Sequence, residues 1–87
     1  MRNFGREKTN VTCGLVINNK VFKVNMVNFS RMGALIATTL PLEKEQYVSL
    51  MYQNEKNQMI KILTYVVRNV RYKNQFYTGL QFVGVQR

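Results

Sequence analysis

Apolar side chains in this chain recur at every second position within short runs, and residues that favour turns close each run. An alternation of period two sets one group of side chains on one face of an extended backbone and the rest on the other. That is the mark of a half-buried strand, whereas a helix needs a repeat of three or four. From Thr9 to Ile17 the run is rich in Val, Thr and Ile, and Asn18-Asn19-Lys20 follows with residues that tolerate positive φ. Phe22, Val24 and Met26 then share one face while Lys23 and Asn25 take the other, so a first hairpin is expected.

Beyond a break at Asn28 to Gly33, Ala34-Leu35-Ile36-Ala37 reads as a short buried strand. Leu40-Pro41-Leu42-Glu43-Lys44 reads as a loop or a single helical turn, because Pro41 cannot donate to a sheet ladder. Val48, Leu50 and Tyr52 alternate with Tyr47, Ser49 and Met51, and Gln53 to Asn57 forms a polar turn. From Gln58 to about Tyr72, Ile60, Ile62, Val66 and Val70 are expected on one side. That run is long for a strand, and both parities are apolar near Thr64 to Val67, which predicts a bulge there. The β-branched residues and the period of two argue against a helix. Lys73-Asn74 makes another turn. Phe76, Leu80 and Phe82 line the inner face of a last strand in which Tyr77, Gly79 and Gln81 point outward, and Gly79 marks a bulge or a close backbone approach. Six strands with short connections imply an all-β antiparallel barrel or sandwich, closure being favoured because it removes exposed edges.

Composition narrows the function. A chain of 87 residues makes one domain that buries roughly 60–65% of its unfolded surface. Its 46% apolar content is enough to offset the entropy of ordering, which argues against disorder. His, Asp and Trp are absent, Cys13 is the lone cysteine, and the acids are Glu7, Glu43, Glu45 and Glu55. Ser-His-Asp and Cys-His catalytic arrangements therefore cannot be built, no catalytic residue is assigned, and no metal site or cofactor is expected. A single cysteine forms no internal disulfide, which fits a reducing cytoplasm, and Cys13 is read as a small apolar filler. No stretch approaches the ~18 apolar residues of a membrane span, and the N-terminus has no signal-peptide core. The 13 Lys and Arg against 4 acids give a net charge of +9, whose field favours anionic partners.

Two constellations carry chemistry. Arg2-Asn3-Phe4-Gly5-Arg6 holds two guanidinium forks on a basic arm, each suited to phosphate oxygens or to the O6/N7 edge of guanine. Asn28-Phe29-Ser30-Arg31-Met32-Gly33 sits where one strand ends and the next begins. The Asn28 carbonyl can accept from a guanine N–H, Ser30 adds a hydroxyl, and Gly33 admits close backbone approach. Taken singly, the first is an ordinary basic terminus and the second an ordinary turn.

Together they are more specific. An Arg-x-x-x-Arg followed some twenty residues later by Asn-x-Ser-x-x-Gly, with a closing Gly79-Leu80-Gln81-Phe82-Val83-Gly84, resembles the PilZ domain family, and the resemblance extends over essentially the whole chain. It implies a six-stranded antiparallel β-barrel, here residues 9–84 behind a flexible arm of residues 1–8. The implied function is binding of the bacterial second messenger cyclic di-GMP and relay of its level to a downstream protein in control of motility, surface attachment or polysaccharide export. By the same resemblance Arg2 and Arg6 grip the guanine Hoogsteen edge and the phosphates, Asn28 and Ser30 contact a guanine, Gly33 keeps the barrel surface clear, and Arg31 is a supplementary phosphate contact. Asn28 stands where many members carry Asp, so a charge-assisted acceptor is exchanged for a neutral one. With Arg2 directly after Met1 and no helix following the last strand, ligand stoichiometry stays open, and one barrel end is expected to be uncovered or completed by a neighbour.

Two other readings stand beside this one. A small basic barrel that binds RNA or single-stranded DNA would stack bases on Tyr47, Tyr65, Tyr72, Tyr77 and Phe76, and its binding would fall steeply with salt. No RNP-like signature supports it, which makes nucleic acid the less favoured partner. A ligand-free protein-interaction module would keep the fold without using the motifs, and both motifs are intact.

Overall fold

A computed structural model describes residues 6–86, and the side chains of residues 11–86. The described residues form six strands: β1 (Arg6–Ile17), β2 (Lys20–Ser30), β3 (Gly33–Thr38), β4 (Tyr47–Gln53), β5 (Met59–Tyr72) and β6 (Gln75–Gln86). They close into an antiparallel barrel in the order β1-β2-β3-β6-β5-β4, as the alternating pattern and the family resemblance imply. The segment at Leu40-Pro41-Leu42 is a loop with no helical turn.

The turns follow from backbone chemistry. Asn18 and Asn19 have φ of 51° and 66°, and a two-residue β1–β2 connection with positive φ at both positions matches the right-handed twist of the strands it joins. Lys73 has φ of 58° at the first central position of the β5–β6 hairpin. In the β4–β5 turn the Asn54 carboxamide oxygen accepts from the backbone N–H groups of Lys56 and Gln58, both at 2.9 Å. It does the work of a backbone carbonyl there.

Inward positions supply the core, in which Leu15, Ile36, Leu50 and Val66 are fully buried. Cys13 joins them, and burial pushes its thiol up from the ordinary range, consistent with an apolar filler. Phe29 packs edge-on against Tyr52 at 6.0 Å and at a tilt against Phe82 at 6.1 Å, at one end of the barrel. Leu42, from the loop between β3 and β4, fills the other end. That loop is tied to β5 through Glu45 N–H to the Val66 carbonyl at 2.7 Å and Val66 N–H to the Gln46 carbonyl at 2.9 Å. Asn69 adds a polar bracket. Its amide donates to the Leu42 carbonyl, and its oxygen accepts from the buried Thr78 hydroxyl at 2.7 Å.

Register shifts change which residues face outward. On β5, Val66 pairs with Leu80 and Arg68 with Gly79, leaving Val67 as an extra residue. This is the bulge expected near Thr64 to Val67, and it reverses the alternation beyond it. Asn69 therefore turns inward, and Val70, expected on the inner side, is exposed. A second shift was not legible in the sequence. Met26 pairs with Ile36 and Asn28 with Leu35, so Val27 is the extra residue on β2. Without it Asn28 would share the inward parity of Val24 and Met26. At the ends, β1 begins at Arg6 rather than Thr9 and β6 runs on to Gln86. Arg6, Glu7 and Lys8 pair with Ser30, Phe29 and Asn28, so the backbone partner on β2 draws these charged residues into the ladder.

Gly33 opens β3 where β6 comes close, and a Cβ built on it would overlap the backbone carbonyl oxygen of Leu80. Gly33→Ala is expected to force these strands apart and destabilise the barrel by about 1–3 kcal/mol or more, read as a lower urea midpoint. Asn69→Ala leaves the Thr78 hydroxyl and the Leu42 carbonyl without a partner, at a cost of about 1–3 kcal/mol in the same denaturation experiment. Asn69→Asp, which keeps the acceptor for Thr78 and loses the donor to Leu42, should fall short of wild type as well.

Candidate functional site

A groove of about 480 Å³ crosses the outside of the barrel over β2, β3, β6 and β5. Asn28 and Ser30 stand on its β2 side, and Val67 and Arg68 on its β5 side. Gly33, Leu35, Gly79 and Gln81 lie between. Two of those four are glycines, which keeps the middle of the groove low.

Each wall depends on a bulge. Arg68 has the same parity as Ile62, Thr64 and Val66, all of which face the core, and an unbroken strand would bury it. The extra residue Val67 turns Arg68 outward opposite Gly79. The extra residue Val27 does the same for Asn28, opposite Leu35. Phe29 can then point inward to the aromatic cluster while Asn28 and Ser30 share the outer face.

The polar groups of the groove are in different states. The Asn28 Oδ1 atom is buried and has no hydrogen-bond partner among the described residues. An unsatisfied buried acceptor costs about 1–3 kcal/mol, so its persistence needs an explanation, and a ligand donor is one. The Ser30 hydroxyl is already engaged: it accepts from the N–H groups of Met32 at 3.2 Å and Gly33 at 3.4 Å. It thus shapes the turn between β2 and β3, which Phe82 secures by donating its N–H to the Met32 carbonyl at 2.8 Å. Arg68 is the only charged residue lining the groove among the described residues.

Of the residues singled out from the sequence, Asn28, Ser30 and Gly33 come together in this groove. Arg31 does not line it and is exposed on the adjoining turn. Arg2 lies outside the described residues, as does the Arg6 side chain, while the Arg6 backbone pairs with Ser30. The register therefore starts β1 beside the groove. Arg68 and Val67 had no assigned role in the sequence. The doubled parity near Thr64 to Val67 pointed to a bulge but not to what it would deliver. The aromatic residues of the nucleic-acid reading lie elsewhere: Tyr47 and Tyr65 pair at 5.0 Å on β4 and β5, and Tyr72 and Tyr77 at 6.3 Å at the β5–β6 hairpin. None lines the groove.

Comparison with known proteins agrees with this architecture. A solved chain titled "Structure of Bacillus subtilis Inhibitor of motility (MotI/DgrA)" superposes with a TM-score of 0.81 at 13% identity. The match covers 99% of this chain and 44% of that one, so this chain spans less than half the length of its structural neighbour. At that identity the likeness speaks for the fold alone. No curated protein matches the sequence. The family model for the PilZ domain matches residues 1–87. The chain belongs to the PilZ domain family.

Proposed function

We propose that this protein is a non-enzymatic receptor for cyclic di-GMP that passes the messenger's level to a downstream protein in the cytoplasm. PilZ domains are binding modules of a cyclic di-GMP effector family, and the groove beside the start of β1 suits that role. The observation that carries the reading is the buried Asn28 Oδ1, without a partner among the described residues, an acceptor suited to the N1–H or N2–H₂ donors of a guanine. Ser30 stands on the same wall and Gly33 keeps the surface low. Arg2 and Arg6 supply the two guanidinium groups for the Hoogsteen edge and the phosphates, approaching from the strand that pairs with Ser30. Arg31, on the adjoining turn, is a supplementary contact at most.

Signalling follows from differential contact. A state in which the Arg2–Arg6 segment closes over the groove binds the ligand better than one in which it does not, so the ligand shifts the population toward it. The closed segment and the ligand then offer a surface that the empty protein lacks. The structural neighbour is titled an inhibitor of motility, and control of motility is the output we assign here, ahead of surface attachment.

Isothermal titration with cyclic di-GMP should give saturable heat. Arg2→Ala, Arg6→Ala and Asn28→Ala should each weaken Kd by more than about tenfold, or 1.4 kcal/mol. A wild-type titration without heat or competition would remove the proposal. Oligonucleotide binding that falls steeply with salt and tracks lysines across the barrel would replace it with the nucleic-acid reading.

A further inference from the structure

We infer that Arg68 is an additional ligand-binding residue, holding a phosphodiester oxygen from the β5 wall, opposite Asn28. This rests on the cyclic di-GMP reading and names a contact outside both sequence motifs. Three observations carry it. Arg68 is the only charged residue lining the groove among the described residues, so an anion seated there has no other cationic partner on β2, β3, β5 or β6. The single extra residue Val67 is what brings it to the outer face, since the unbroken alternation would aim it at the core. Its side chain also lies toward the groove. A Cβ placed on Gly79 would meet Arg68 Cγ at 3.5 Å and Nε at 3.7 Å, so the stem lies against the neighbouring strand β6 at a residue that itself lines the groove.

The geometry favours the phosphate over the base. From β2 to β5 the groove is three strand spacings wide, roughly 14 Å, so one small group cannot touch both walls. A ring of two nucleotides can seat a guanine against Asn28 and bring a phosphate to Arg68. A guanidinium held against a strand by its stem is a pre-organised fork for such an oxygen pair.

The test is titration of cyclic di-GMP into wild type, Arg68→Ala, Arg68→Gln and Arg68→Lys at several salt concentrations. Arg68 is exposed, so all four proteins should melt at the same midpoint, and Arg68→Gln keeps most of the stem over Gly79 should Arg68→Ala disturb packing. Loss of the contact should weaken Kd at least tenfold in Arg68→Ala and Arg68→Gln and flatten the dependence of affinity on salt, with Arg68→Lys recovering part of both. Variants that bind within twofold of wild type overturn the role of Arg68 and leave the receptor reading standing. Weaker binding with an unchanged salt slope and no recovery by lysine also overturns it, because the side chain would then act through shape. A wild type that gives no heat overturns the receptor reading itself, and this inference with it.

Discussion

In a closed antiparallel barrel the side-chain period of two commits each strand residue to the core or to the surface, and a residue changes sides only if the strand gains or loses a position. The groove of this protein depends on two such insertions. Val27 on β2 and Val67 on β5 each add one residue, and each turns a polar side chain out that strict alternation would have buried. Aiming Arg68 into so small a core would leave a guanidinium unsatisfied among apolar neighbours, at a large cost in desolvation. The bulges thus solve a packing problem and build a site in the same step. Phe29 and Asn69 turn inward as the counterpart, the first into the aromatic end of the core and the second into the bracket that holds Leu42 and Thr78.

The electrostatics of the groove are sparse, and that bears on selectivity. The chain carries a net charge of +9, yet one described cation lines the groove. Most of the charge therefore acts at long range, raising the local concentration of anions without choosing among them. In the receptor role proposed above, choice falls to the short-range groups: an acceptor already out of water, two glycines that leave room for a flat ligand, and one fork. A preformed groove whose acceptor is already desolvated would not repeat that cost on binding the proposed ligand.

Much of the architecture was legible in the sequence because it depends on local rules. The paired asparagines at 18 and 19, the core parity of Phe22, Val24 and Met26, and the loop imposed at Pro41 follow from propensity and period, and the structure has them. The motif around Asn28 was visible by residue type, and Asn28, Ser30 and Gly33 do meet in one groove. What was not legible depends on pairing between distant strands. Val27 is an unremarkable valine until β3 fixes the register opposite it. Val70 was placed on the wrong face because a bulge can be suspected from doubled parity, while its position is settled only by β6. Arg68 was missed for that reason, and the strand character of Arg6, Glu7 and Lys8 was missed because a long β2, and not their own propensity, holds them.

The two seams that join the halves of the barrel differ in length. β3 and β6 pair from Gly33 to Thr38, whereas β1 and β4 share only Gly14, Val16 and the residue between them. Local opening starts where the fewest backbone bonds must break, so amide protons along the short seam should exchange ahead of those along the long one. The groove straddles the long seam, and the short seam lies on the opposite flank. A barrel built this way can open on one flank while the groove on the other keeps its shape.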